Sequence, residues 1–187
     1  VDTGNSYKGL CELIHSKTRG EDGIYFTYTD TEPITFNPFY TEDGLFDIEK
    51  RESIKTLILT LWKRDDEPPS RSEEVALSNA VNLYQEHIGR HPEHKPSFNG
   101  FYRFVGRDYR RLLRQKNVRE KDFDIDNFLT VLEPYYEGGE YDYLLNSDRE
   151  LDLLHKRFIV FELDNIRDHK ILLPIVTIII METYIGK

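Results

Sequence analysis

The sequence predicts a mainly α-helical protein that carries a small α/β part. Three observations lead there. Between Asp47 and about Leu154 apolar residues recur at helical spacing. The stretch "IYFTYT", Ile24–Thr29, is aromatic and β-branched, as strands are. Near the end, "FIVFELD" from Phe158 is apolar on both faces, the pattern of a central parallel strand covered by helices. The segment after it is apolar nearly all round, as a buried helix is.

Taken in order, "SYKGLCELI" places Tyr7, Leu10, Leu13 and Ile14 near one face of a short helix. "PITFNPF", Pro33–Phe39, has proline at each side of an extended run. "DIEKRESIKTLILTLW" carries Ile54, Leu57, Ile58 and Leu61 at i, i+3, i+4 and i+7, one face of a helix. Pro68 and Pro69 then stop the chain, and Ser70 with Glu73 fits the S-x-x-E capping box of a new helix. That helix would turn Leu77, Val81, Tyr84 and Ile88 inward and finish near Gly89. Ser97 caps a third helix through about Gln115. Asp124 or Asp126 opens a fourth, with Phe128, Leu129 and Leu132 inward and Pro134 ending or kinking it. "EGGEYDYLL" reads as a loop. Phe158–Leu163 is the strand and Ile171–Ile185 the apolar helix.

The 187 residues suffice for a domain with an insertion and for a sizeable core. With 39% hydrophobic and 32% charged residues, the composition is that of a folded chain. A net charge of −9 argues against uniform binding to a polyanion, though it leaves room for a local basic patch. The single cysteine, Cys11, excludes an internal disulfide, fits a reducing compartment and reads as a small buried apolar residue. Ile171–Met181 is too short for a membrane span and is interrupted by Pro174 and Thr177. The chain starts at Val1, its only methionine is Met181, and its most apolar stretch comes last, so the reading expects a segment of a longer protein.

Four groups of residues invite a chemical reading. "FIVFE", Phe158–Glu162, looks like a strand presenting a Mg²⁺-binding carboxylate, but the phosphate loop G-x-x-x-x-G-K-S/T that such a strand needs occurs nowhere in the sequence. On "FNGFYRFVGRDYRRLLRQ", Arg103, Arg107, Arg110, Arg111 and Arg114 share one side, with Tyr102, Val105, Tyr109 and Leu112 nearly opposite. Lys116, Arg119 and Lys121 extend this run. Such a face could neutralise phosphates or pair with an acidic subunit, or else be a solvated face paired with nearby acids. His87, His91 and His94 lie close in sequence, but Gly89 and Pro92 should break the helix that would align them, so they read as a surface loop and not a metal site. Glu133, Glu137, Glu140 and Asp142 lack the ligand spacing of a calcium loop and read as solvated. No residues fill the roles of nucleophile, base and orienter, so no catalytic residue is assigned.

"VDTGNSYKGLCELI", "ITFNPF", "GGEYDYLLN" and "RFIVFELDNIRDHKILLPIVTIIIMETYI" follow one another in the order seen in the TraG family of conjugative-transposon ATPases. The chain resembles that family over essentially its whole length, and the family is similar to the VirB-type ATPases of type IV secretion. The resemblance implies pieces of a RecA-like P-loop NTPase core with a helical domain inserted. Residues 1–45 and 157–187 would belong to the core, and residues 46–156 to the insertion. Val1-Asp2 would be the tail of a core strand. The family's two nucleotide-binding motifs would lie outside this sequence, so ATP and Mg²⁺ are expected for the parent and no cofactor or metal for the segment, which would be inactive alone. Asp2 and Ser6 are placed near a nucleotide only because ligands sit beyond the carboxyl ends of parallel strands. Expected partners are further ATPase subunits in a ring and secretion-channel proteins, with DNA as an option, at the cytoplasmic face of the inner membrane. The rival reading is a self-contained helical binding module that takes nucleic acid on the Arg103–Arg114 face.

Overall fold

The computed structural model describes residues 4–29, 33, 35–41, 45–64, 66–147 and 156–185. They are mainly helical and divide into two compact units. One draws on residues 1–36 and 147–185, the other on residues 37–146.

The first unit holds α1 (Lys8–Lys17), β1 (Ile24–Thr27), β2 (Ile159–Glu162) and α8 (Leu172–Ile185). β1 and β2 pair in parallel, with Ile24 opposite Ile159 and Thr27 opposite Glu162. The expected strands thus find each other. Among the described residues the sheet has these two strands only, and the stretch near Phe36 joins neither. Phe26 and Phe161 stack across the pair with centroids 5.2 Å apart, the sort of cross-strand contact that holds sheet neighbours together. The turn from α1 into β1 depends on Gly23. Its φ is +76°, and a Cβ there would sit 2.4 Å from the Cys11 carbonyl oxygen and the His15 nitrogen. This close approach turns the Cys11 edge of α1 toward the start of β1. Cys11 is buried as expected, but Tyr7, Leu10 and Leu13 are 51%, 47% and 55% exposed and Ile14 is half-buried. The inward face of α1 is therefore not the one its apolar spacing suggests.

On α8, Leu172, Ile175, Val176, Ile179 and Ile180 are buried at helical spacing, while Ile171 before it and Met181 remain about half exposed. Pro174 falls in the first turn, where its missing N–H has no helical acceptor to lose. No helix among the described residues is long and apolar enough to cross a membrane.

The second unit contains α2 (Ile48–Trp62), α3 (Arg71–Arg90), α4 (Phe98–Phe104), a π-helical turn (Val105–Tyr109), α5 (Arg110–Gln115), α6 (Ile125–Leu132) and α7 (Asp142–Leu145). Ile54, Leu57, Ile58 and Leu61 line the buried face of α2, and Leu77, Val81, Tyr84 and Ile88 that of α3. The capping box forms in full: Ser70 Oγ accepts from Glu73 N at 3.3 Å, and Glu73 Oε2 accepts from Ser70 N at 2.7 Å. Ser97 Oγ accepts from Gly100 N at 3.1 Å and caps α4. Asp124, not Asp126, caps α6, accepting from Asn127 N at 2.9 Å. On α6 Phe128 and Leu132 are buried and Leu129 is half-buried. Two aromatic clusters fill the core. Phe39 packs against Phe46, Tyr84, Phe98 and Phe101, and Trp62 against Phe123 and Phe128.

Two expectations change here. "EGGEYDYLL" ends in α7 rather than staying a loop. Gly138, at φ +81°, makes the turn, Asp142 accepts from its N–H at 3.0 Å, and Leu144 and Leu145 become fully buried. The helix from Ser97 is also not uniform. The π turn inserts one extra residue, so burial falls on Phe101, Phe104, Val105, Tyr109 and Leu113, while Leu112 is half-buried. The buried Tyr109 hydroxyl donates to the Ala76 carbonyl at 2.7 Å, and burial pushes its pKa up to about 12.

Replacing Gly23 by alanine should cost at least about 3 kcal/mol, because its Cβ would collide with backbone at a φ that alanine avoids. Urea unfolding of the G23A chain measures this. A loss under about 1 kcal/mol would mean that the turn does not need glycine.

Candidate functional sites

At the carboxyl end of the parallel pair lies Glu162, the one charged residue buried among those described, 2% exposed. Its carboxylate accepts from Asn5 N at 2.7 Å, Gly4 N at 3.3 Å and Asp164 N at 2.9 Å. The Tyr25 hydroxyl lies 3.0 Å from both Glu162 Oε2 and Asn5 Oδ1. Gly4 at φ +137° and Asn5 at φ +57° give successive amides that converge on one anion, a nest of donors. Both residue types suit such backbone. Burial pushes the Glu162 carboxyl up, but the amides of Asn5 and Asp164, the Tyr25 hydroxyl and the Gly4 amide outweigh it and hold the pKa below the usual carboxylate range.

Of the two residues expected at this edge, Asp2 lies outside the described residues and Ser6 is exposed beside the nest. The pair that organises the edge is Glu162 with Asn5. Sequence reading set Glu162 aside for want of a phosphate loop. Three of its four donors, from Gly4, Asn5 and Tyr25, come from far up the chain, and the Gly-Asn dipeptide is the one local signal that could have pointed to them. A Mg²⁺–nucleotide site needs a glycine-rich loop with its lysine and hydroxyl. None is in the sequence, and Glu162 already serves four protein donors. These residues do not by themselves fit that cofactor.

The arginines form a second group. Arg103 meets Glu137 at 3.2 Å, Arg107 meets Asp108 at 3.5 Å, and Arg111 meets Asp108 at 3.2 Å. Arg103, Arg107, Arg111 and Arg114 are exposed. Arg110 is not. It is turned by the π insertion toward α6, is 24% exposed and bonds Asp126 at 2.6 Å. The five arginines therefore do not share one open face, since the extra residue of the π turn rotates those that follow it. Further on, Arg119 pairs with Asp122 at 2.6 Å.

The histidines hold a third place. α3 runs unbroken through Gly89 to Arg90, so His87 and His91 sit one turn apart, with ring centroids 4.7 Å apart. His94 closes the group at 5.7 Å from His91 and 6.3 Å from His87. The expectation that Gly89 would keep them apart is thus corrected. A glycine costs a helix only about 1 kcal/mol, which packing along the rest of α3 offsets. The His94 ring is nearly parallel to the other two, at 26° and 27°. Among the described residues no group of His, Cys, Asp or Glu is placed to hold a metal ion. His87 also touches Phe104, and it lines a cleft of about 630 Å³ with Glu93, His94, Lys95, Arg103, Arg107 and Asp108 over a floor of Tyr84, Ile88 and Phe104. The Tyr84 hydroxyl fixes that floor, donating to Ser97 O and accepting from Ser97 N, each at 3.2 Å.

The sign of the Glu162 contribution follows from its lowered pKa. A carboxyl that ionises more readily folded than unfolded adds stability above its unfolded pKa, near 4.3, and loses it as pH falls toward the folded value. Glu162→Gln should therefore cost about 2 kcal/mol at neutral pH. The gap from the parent chain should shrink once the pH drops below about 4. Chemical unfolding at several pH values measures it, and a gap that does not change with pH would rule out the ionised carboxylate as the source.

A family model for the TraG P-loop domain matches residues 1–187. No curated protein and no solved structure matches the chain. With the match covering every residue, the chain belongs to the TraG P-loop domain family, a family of conjugation-related P-loop ATPases.

Proposed function

We propose that this chain works in a type IV secretion ATPase of a conjugative transposon, where ATP hydrolysis powers DNA transfer or channel assembly. The whole-length family match carries the reading. The reaction would be phosphoryl transfer to water, with ATP and Mg²⁺ held by residues other than these 187 and the protein working at the cytoplasmic face of the inner membrane. The parallel pair β1·β2 contributes to the α/β side, with Glu162 holding the Gly4–Asn5 turn at the carboxyl edge, where ligands of such sheets gather. The helical unit, which enters the chain between β1 and β2, serves contacts with neighbouring subunits or secretion proteins. Its exposed Arg103, Arg107 and Arg111 sit in ion pairs worth at most about 1 kcal/mol each, so a partner's carboxylates could exchange into them at small cost.

Reversing Arg107, Arg111 and Arg114 to glutamate, while leaving the structural Arg110, tests this. In cells carrying the intact gene, transfer and co-purification with channel proteins should fall by about tenfold or more, since like charges then face each other across the contact. The melting curve of the variant should stay that of the parent. Transfer at the parental rate would remove the arginine face from the mechanism.

A further inference from the structure

The cleft of the helical unit brings together features that the arginine face alone does not explain. Its floor is apolar and held in place: Tyr84 is tied to Ser97 at both ends of one residue, and Phe104 packs against His87 and Tyr84. Its volume of about 630 Å³ falls in the range of ligand clefts. One wall is the π turn, a feature frequent at functional sites, and it sets Arg107 and Asp108 at the cleft.

The charges around the cleft point to the ligand. Lys95, Arg103 and Arg107 are permanent cations in the lining, against the carboxylates of Glu93 and Asp108. His87 and His94 join the lining, and His87 is a group whose charge can change with pH. His87 is faced by Glu86, Arg90 and His91 along α3, by Glu93, His94 and Lys95 from the loop, by Arg103 from α4, by Arg107 and Asp108 from the π turn, and by Arg111 from α5. Burial lowers its pKa, the neighbouring His91, His94 and Arg107 lower it further, and Asp108 opposes them. An anion bound in the cleft would favour the charged form of His87, so acidification should tighten binding.

A continuous phosphate backbone suits this cleft poorly. Two carboxylates interrupt the cations, and the chain as a whole carries −9. A short peptide can set its carboxylates beside Lys95, Arg103 and Arg107 and drop one apolar side chain onto Tyr84, Ile88 and Phe104, avoiding Glu93 and Asp108. We infer that the cleft docks an acidic peptide segment of a protein partner, with an apolar anchor on its floor. The inference rests on the reading of the helical unit as a contact module, and it names the chemistry of one partner.

The test uses the 187-residue chain and a fluorescein-labelled peptide in which glutamates flank one phenylalanine, read by anisotropy at fixed salt. Affinity should rise about threefold or more between about pH 7.5 and about pH 5.5, since the lowered His87 pKa moves its protonation to the acid side of the usual imidazole range. Lys95→Glu with Arg103→Glu should weaken binding about tenfold at either pH. His87→Gln should keep the binding seen at the higher pH and lose the rise, with melting curves confirming that each variant is folded. Affinity that is flat with pH, indifference to K95E/R103E, or a DNA oligonucleotide that binds where the peptide does not would each overturn the inference. The assay reads the cleft alone, whereas the arginine reversals are read in transfer. Failed peptide binding with transfer still sensitive to Arg107, Arg111 and Arg114 therefore defeats this inference and leaves the contact reading standing.

Discussion

The parallel pairing of β1 with β2 is the constraint on which the rest depends. Antiparallel neighbours can be joined by a tight turn, but parallel ones need a crossover that carries the chain back to the same end. Here the crossover is not a single helix: it contains the whole helical unit, from Asn37 to Asn146. The strands themselves are four residues each, too short to hold so long a closure by backbone bonds alone. What locks them is at their carboxyl end. There the Glu162 carboxylate ties β2 to the Gly4–Asn5 turn ahead of α1 and to Tyr25 of β1. Three separate parts of the sequence meet at one buried charge.

A buried carboxylate is costly to desolvate, and it persists only where its lone pairs are met. Glu162 meets that condition with three amides and a hydroxyl, which is why burial does not leave it protonated. The same accounting explains the two non-standard backbone angles beside it. Gly4 and Asn5 adopt positive φ because only then do consecutive N–H groups aim at a single acceptor. An apolar residue in place of Glu162 would leave those amides without their acceptor, so the strand's terminal acid and the turn's Gly-Asn pair are one device written in two distant places.

What was legible in the sequence follows from this. α2 and α3 could be read because their buried residues recur at the helical period and their starts carry local caps, Asp47 and the Ser70–Glu73 box. β1 and β2 could be read from composition, but the two-sided burial expected of Phe158–Leu163 says only that the strand needs a neighbour, and the pairing with β1 is a tertiary result. The π turn could not, because a single extra residue in "FVGRDY" leaves a period almost unchanged over one turn while displacing the inward position from Leu112 to Leu113. α7 was hidden because two glycines precede it and its reason to form is the burial of Leu144 and Leu145, a tertiary effect. The inward edge of α1 was misjudged for a related reason: the close approach of Gly23 decides it, and hydrophobic spacing carries no trace of that. The TraG family resemblance extended over the whole chain and is matched by the family model, yet it placed no functional residue, since the phosphate loop that defines the family's chemistry is not in this sequence.

The helical unit raises an electrostatic question that net charge alone answers wrongly. A chain at −9 should repel acidic partners at long range, yet its arginines gather on one stretch. The reconciliation lies in distance. At physiological salt, exposed charges more than about 8 Å apart hardly sense each other, so a ligand at the Lys95–Arg107 rim responds to the few groups around it and not to the molecular total. Those groups are balanced closely enough that the His87 imidazole can change their sum appreciably. Glu137 pairs with Arg103 and Asp108 with Arg107, and the charge of His87 then sets how attractive the cleft is to an anion. Had the arginines been unopposed, the patch would attract any polyanion regardless of pH. Their pairing with Glu137, Asp108 and Asp126 instead makes the surface selective, because a partner must offer carboxylates positioned well enough to replace pairs that already exist.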